Sequence, residues 1–298
     1  MGLAPRSHPV YDYVMNDATS AQLSAIARFR TMHESGCFVL PNPWDVGTAV
    51  YLHHLGFEAL ATTSAGFAFS RGLPDSVAAV SRDLMLAHIR EVVEATPLPV
   101  NADFQNGYAH EPEDAAANVA LCIATGVAGL SIEDGTGNRS APLYETGMAI
   151  ERIKAAGRAV DASGIPVILT ARCEAFLVGH PDPFRVVRER LVAYAEAGAD
   201  CLYAPGVSQP DQIAAIVKAV SPKPINVMMP IRSQAPTISE LADLGVRRVS
   251  VGSGLARVAW GAFIRAARNI AETGSFDGFP DAAPFSELDN LFSKRTRL

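Results

Sequence analysis

The sequence predicts a single (β/α)8 barrel of the TIM type, and three observations predict it. Eight short, β-rich apolar runs recur along the 298 residues, roughly 20–40 residues apart, which leaves room for one crossover helix each time. The runs are continuous rather than alternating, as in strands buried on both faces of a parallel sheet. The segments between them close on a glycine and a few small residues, as in LHHLGFEAL, IATGVAGL, YAEAGADCL and LADLGVRRV. That pattern is a glycine C-cap followed by a short helix-to-strand loop.

Taken in order, residues 18–34 form an extra helix ahead of the barrel. The strands follow as CFVL (37–40), EALAT (58–62), LPVNA (98–102), AGLSI (128–132), IPVILT (165–170), DCLYA (200–204), PINVMM (224–229) and RRVSV (247–251). The helix in PEDAAANVALCIATG opens on Pro112 and acidic residues, and the one in DPFRVVRERLVAYAEAG on Asp182-Pro183. The last helix covers 253–273. The barrel proper spans 36–272, with 1–17 and 274–298 as terminal extensions of one domain, 1–298. A doubly wound open sheet would show G-x-G-x-x-G after the first strand, and none stands there.

Hydrophobic residues make up 49% of the chain and the net charge is −6, with no basic stripe, so nucleic acid is not an expected partner. No apolar run approaches the length of a membrane span. The segment MGLAPRSHPVYDY lacks the apolar core of a secretory signal, and Arg6 stands where a myristoylation site needs Ser or Thr. The cysteines (Cys37, Cys122, Cys173, Cys201) are scattered without a CxxC pair, which fits a reducing cytoplasm.

In such a barrel the chemistry sits at the C-terminal ends of the strands. Strand three delivers Asn101 and Asp103, two apart and therefore on one face, and strand four delivers Glu133 and Asp134. Strand five brings Arg172 and Glu174, strand six Tyr203 and strand seven Asn226. Oxygen donors without His or Cys suit a hard cation, so Asn101, Asp103 and Glu133 are the expected group for Mg²⁺, with Mn²⁺ as the substitute. Asp134 and Glu174 can equally cap a helix or pair with a cation. Ser64-Ala65-Gly66, after strand two, is small enough to bring backbone N–H groups to an anionic oxygen, or is simply a tight turn. Gly252-Ser253-Gly254 is either a phosphate cradle or a plain strand-to-helix turn. Cys173 neighbours Arg172, so strand alternation turns its thiol away from the barrel mouth. His53, His54, His88, His110 and His180 share no metal-ligand spacing.

Five segments, in this order, carry a resemblance to a known family: TTSAG (62–66), GLPD (72–75), NADFQNGY (101–108), SIEDG (131–135) and TARCEAF (170–176). Over 36–272 the chain resembles the isocitrate lyase/phosphoenolpyruvate mutase superfamily. The resemblance implies a barrel that exchanges its last helix with a neighbour to make homodimers or homotetramers. It implies Mg²⁺ near Asp103 and Glu133, largely through water, with Asn101 where aspartate is usual. It also implies a 2-oxo-carboxylate held by the metal, Ser64-Ala65-Gly66 and Arg172, and Asp75 close to the reacting carbon or to the metal's waters. Two departures stand out. In the first, the lyases' Lys-Lys/Arg-Cys-Gly-His loop is replaced by EDGTGNRSAPLYETG, without cysteine, and the mutases' Lys-x-Asn-Ser loop is matched only by Asn138-Arg139-Ser140. In the second, Asn101 in place of a carboxylate removes one negative charge from the metal site, so Mg²⁺ affinity should fall or its water network be rearranged.

The expected activity is Mg²⁺-dependent carbon–carbon cleavage of a small 2-oxo or 2-hydroxy dicarboxylate through an enolate, with oxaloacetate decarboxylation as the simplest case. Arg172 and Asp75 are its catalytic groups, and the loop after strand four, with Tyr203 and Asn226, sets specificity. The alternatives are phosphorus–carbon chemistry on a phosphonopyruvate-like acid, with Arg139 and Arg71 as the extra cations it needs, and a non-catalytic 2-oxo acid binder.

Overall fold

The apolar runs fold as eight parallel strands: β1 (Phe38–Leu40), β2 (Leu60–Ala61), β3 (Val100–Asp103), β4 (Gly129–Glu133), β5 (Ile168–Arg172), β6 (Cys201–Tyr203), β7 (Ile225–Met228) and β8 (Arg248–Ser250). This computed structural model describes residues 19–77, 79–229 and 235–294. The extension at 1–17 and the last four residues of the tail lie outside the described residues. Sheet order is β1-β8-β7-β6-β5-β4-β3-β2, and the Ala61 N–H donates to Pro41 O at 3.0 Å to close the ring between β2 and β1. The strands start later than the apolar runs do where proline precedes them. Pro99, Pro166 and Pro224 have no N–H to give a ladder, and β3, β5 and β7 begin just beyond them.

The helices are α1 (Ser20–Glu34), α2 (Val46–His54), α3 (Ser64–Ser70), α4 (Arg82–Ala95), α5 (Pro112–Ile123), α6 (Thr146–Ser163), α7 (Pro183–Glu196), α8 (Pro210–Val220), α9 (Ile238–Asp243), α10 (Gly254–Thr273) and α11 (Phe285–Ser293). The unit after β2 carries two helices, α3 and α4, where one was expected. Prolines open α5, α7 and α8, and side chains of Asp45, Ser81, Asp182 and Thr237 accept N–H groups of the first turns of α2, α4, α7 and α9.

Helix α1 lies across the N-terminal ends of the strands. Gln22 donates its amide to Ile123 O, at the end of α5, and to Val127 O, just before β4, both at 3.2 Å, and Arg30 reaches Pro166 O, just before β5, at 2.8 Å. The fully buried Phe29 closes over Gly129, where a Cβ would come within 2.9 Å of the ring. A side chain at 129 would push α1 off the barrel floor.

Helix α10 is the exception to the packing. Ala256 is its one buried residue, while Val258 is 67% and Phe263 61% exposed. The tail beyond it returns to α2, where the Tyr51 hydroxyl donates to Glu287 Oε1 at 2.7 Å.

Candidate active site at the C-terminal mouth of the barrel

Arg172 ends β5 in register with Glu133 on one side and Tyr203 on the other. Its Nη1 lies 3.2 Å from Asp103 Oδ1 and 3.3 Å from Glu133 Oε2, its Nε bonds Glu174 Oε1, and the guanidinium sits 5.3 Å over the centre of the Tyr203 ring. Three carboxylates thus grip one arginine, each of these side chains no more than 17% exposed. Asp103 is fixed from its other oxygen, which accepts both the N–H (2.9 Å) and the hydroxyl (2.8 Å) of Ser64.

Of the two acids left open by the sequence, Asp134 is scaffold. Its Oδ1 accepts the Glu174 N–H at 2.8 Å, and its Oδ2 accepts from Arg190 at 2.8 Å and the Tyr194 hydroxyl at 2.7 Å. Glu174 joins the ring around Arg172 instead.

That ring holds more negative than positive charge. Burial pushes Glu133 well above the usual carboxylate range; Arg172 opposes the shift, and Glu174 and Asp103 add to it. Burial likewise raises Glu174. Asp75, on the loop after α3, is raised by desolvation and then by Asp103. Beside Glu133, the side-chain oxygen of Gln105 is buried without a partner, on a backbone at φ +45°. The Tyr108 hydroxyl, at a second left-handed position (φ +55°), is also buried and unpartnered. Surplus carboxylate charge and orphaned neutral oxygens are the donor set for a hydrated hard dication. Among the described residues no three His, Cys, Asp or Glu side chains converge as a direct ligand shell. Water would therefore complete the coordination, as Mg²⁺ prefers.

Two cavities meet at Arg172. A lower one of about 140 Å³ is lined by Asn101, Tyr203, Asn226, Arg248 and Ser250, and an upper one of about 560 Å³ by Gln105, Glu133, Arg139 and Glu174. Ser64, Asp75, Arg172 and Leu177 border both.

Asn101 is placed differently from its expected companions. Its amide oxygen faces Arg248 Nη1 at 3.5 Å and its Nδ2 donates to Ala102 O, one step deeper on β3 than Asp103. Ser64-Ala65-Gly66 opens α3; Ser64 and Gly66 give their N–H groups to Asp103 and Thr63, and Ala65 between them lines the lower cavity. Gly66 is required there, since a Cβ would lie 2.6 Å from Thr63 Cγ2 and 3.2 Å from Ala256 Cβ. The Gly252-Ser253-Gly254 segment is a strand-to-helix turn. Asn42 Oδ1 accepts the N–H groups of Val251 (3.0 Å) and Gly252 (2.9 Å), and Gly254 donates to Val251 O. Three of the turn's N–H groups are thereby used, while Ser253, at the start of α10, lines the lower cavity. Cys173 is fully buried, and its thiol is raised by burial and then by Asp134, which makes it inert.

Sequence reasoning passed over Arg248. The signal was present: in RRVSV, Arg248 shares its parity with Ser250, already placed at the mouth, while Arg247 points the other way.

The sequence model of the family described as phosphoenolpyruvate phosphomutase matches residues 29–271. An uncharacterised protein of Mycobacterium tuberculosis is 34% identical over 266 residues, covering 87% of this chain and 94% of that protein. A crystal structure from Burkholderia cenocepacia J2315, of a protein described as a candidate lyase or mutase, superposes with a TM-score of 0.88 at 46% identity, covering 92% of this chain and 98% of that one. Oxaloacetate acetylhydrolase, solved with its product oxalate, gives a TM-score of 0.81 at 25% identity over 92% of this chain and 96% of that one. Barrel, strand-end carboxylates and family match coincide: the chain belongs to the phosphoenolpyruvate mutase/isocitrate lyase superfamily of lyases and mutases.

Proposed function

We propose that the protein cleaves a carbon–carbon bond in a small 2-oxo or 2-hydroxy diacid, with decarboxylation of an oxaloacetate-like acid as the simplest instance. The observation that carries this is the ring of Asp103, Glu133 and Glu174 around Arg172, at the join of the two cavities. Asp103 and Glu133, with Asp75 beside them, would hold a hydrated Mg²⁺ or Mn²⁺. When bound, that cation supplies Lewis-acid stabilisation of charge developing on the 2-oxo oxygen.

The remaining work belongs to the chain. Arg172 binds the reacting end of the acid, and three carboxylates keep it from following the leaving group. Its fixed charge therefore meets negative charge as it grows rather than reorganising towards it. Ser64 keeps Asp103 in register with Arg172, Ala65 lines the lower cavity beside it, and Gly66 packs behind them against Thr63, Trp44 and Ala256. As CO₂ departs, the bonding pair moves onto the 2-oxo oxygen, and the β-carbon takes a proton from water next to Asp75. Tyr203 and Asn226 line the lower cavity and shape the acid that fits. No side-chain nucleophile is needed, in keeping with the buried, raised thiol of Cys173.

A panel of 2-oxo and 2-hydroxy acids, assayed with Mg²⁺ and with EDTA, tests this. Expected is turnover of at least one diacid that EDTA abolishes and Mg²⁺ restores, with oxalate as a competitive inhibitor. Tight 2-oxo acid binding with neither turnover nor metal dependence would mark a non-catalytic binder. Phosphonopyruvate belongs in the same panel, because Arg139 lines the upper cavity and could meet a phosphonate. Arg71 lines neither cavity, which ranks that chemistry second.

The same reading covers assembly. A 20-residue amphipathic α10 with a bare apolar face is one that a second copy of the chain covers, so the working form is a homo-oligomer.

A further inference from the structure

The floor of the lower cavity carries a charge that the proposed reaction does not use. Arg248 is 1% exposed and lines that cavity together with Asn226 and Ser250. Its Nε donates to Asn226 Oδ1 at 3.0 Å and its Nη2 to Thr170 Oγ1 at 3.1 Å. Nη1 faces His33 Nε2 at 3.3 Å and Asn101 Oδ1 at 3.5 Å. All four partners are neutral. His33 Nδ1 is 2.6 Å from Phe29 O, an acceptor, so that nitrogen carries the proton and Nε2 receives the bond from Arg248. Burial and the arginine's own charge hold this imidazole down to about 3, so it stays neutral.

No carboxylate among the described residues forms an ion pair with Arg248; the nearby acids are taken by Arg172 and Arg190. A guanidinium does not shed its proton in a protein, and an uncompensated buried charge is strongly unfavourable. Its four contacts engage four of its five N–H donors, leaving one on Nη2. If the residue only tied α1 to the strands, a neutral donor would serve, with no charge to bury. Two residues further along the same strands stand Asp103, Arg172 and Ser250, so the charge lies one step beneath the acidic ring.

We propose that Arg248 is a second anion anchor of the site, which binds the far carboxylate of the substrate and so selects diacids over monoacids. This rests on the reading given under Proposed function and adds the residue that recognises the end of the substrate away from Arg172. In a 2-hydroxy diacid cleaved between its second and third carbons, that far carboxylate stays on its own fragment, so the guanidinium keeps a counter-charge through the step. Asn101 then has its role here: an aspartate at 101 would face Arg248 and cancel the charge that the substrate is to meet.

The test compares malate with 2-hydroxybutyrate, which share a four-carbon skeleton and differ by a carboxylate for a methyl. Binding to the full-length protein in Mg²⁺ is measured by calorimetry, with oxalate as a probe that fills the reacting end alone. Wild type should bind malate about a hundredfold tighter than 2-hydroxybutyrate, as expected for a site built around a charged group. Arg248→Met should bring the two within about threefold of each other while leaving oxalate affinity unchanged, and Arg248→Lys should keep most of the preference. Discrimination that survives in a folded Arg248→Met overturns the proposal. If neither variant folds, wild type decides alone: equal affinity for the two acids overturns it. Failure of oxalate to bind any form would instead overturn the reacting-end assignment, an outcome separate from the malate comparison.

Discussion

Ser64 gives both its backbone N–H and its hydroxyl to the same oxygen of Asp103, Oδ2, at 2.9 and 2.8 Å. The other oxygen is thereby turned to Arg172. Ser64→Ala keeps the N–H bond and loses the hydroxyl, a charge-assisted bond of about 1.5–3 kcal/mol. Steady-state kinetics should show kcat/KM down by roughly tenfold to a hundredfold, with the melting temperature little moved. A far larger loss would mean that the hydroxyl itself meets the substrate.

Replacing Arg172 separates charge from shape. Lysine is a point charge and cannot span Asp103, Glu133 and Glu174 at once, so Arg172→Lys should recover only a small part of what Arg172→Ala loses. The alanine variant should fall by about three orders of magnitude or more in kcat/KM. Activity within tenfold of wild type in either variant would remove Arg172 from the reacting end.

Tyr194→Phe probes the scaffold rather than the chemistry. Asp134 Oδ2 would keep Arg190 but lose its hydroxyl donor in a site where the carboxylate is 4% exposed. Urea unfolding should register a loss of about 1–3 kcal/mol. The Glu174 N–H is held by the other oxygen, so KM should hardly change. A large kinetic effect with unchanged stability would reverse this assignment.

Stability should fall as the solution is acidified below neutrality, in part through two histidines. Burial, with Arg248 second, holds His33 down to about 3 from 6.5, and burial holds His88 down to about 4, its ring stacked 3.8 Å from that of Phe67. The unfolded chain protonates these groups near 6.5 and the folded chain does not, so the unfolded state binds more protons between pH 6.5 and about 4. Each should cost roughly 2–3 kcal/mol by pH 4.5. Denaturation series at pH 7 and 4.5 measure this, and His33→Gln should flatten its share of the slope.

Phe263→Asp places a charge at the centre of the bare face of α10, where the side chain is 61% exposed in the single chain. Sedimentation should show a smaller species than wild type at the same concentration. An unchanged sedimentation coefficient would mean that another surface, or none, makes the assembly.

The barrel was legible because each level of the sequence repeats it: apolar run, polar strand end, helix, glycine. Asp103, Glu133 and Arg172 were legible for the same reason, since alternation at a strand end settles where such a residue points. Asn101 shows the limit. Parity put it on the inner face beside Asp103, but depth depends on barrel tilt and on which long side chain fills the layer, and Arg248 fills it from the far side of the ring. The Gly252-Ser253-Gly254 turn was ambiguous for a related reason. The turn's conformation is held by Asn42, 210 residues away, which accepts the Gly252 N–H.

Helix α1 has a kinetic meaning as well as a structural one. With Phe29 against Gly129 and Gln22 and Arg30 bonded to the chain just ahead of β4 and β5, the lower end of the barrel is stoppered. Entry and exit then share the upper mouth, past Asp75 and Leu177. If Arg172 holds the acid as proposed, a product still seated there blocks the next substrate from the same doorway. Product inhibition should therefore be competitive, and turnover at high substrate should be paced by the departure of an anion from the arginine that helped to make it.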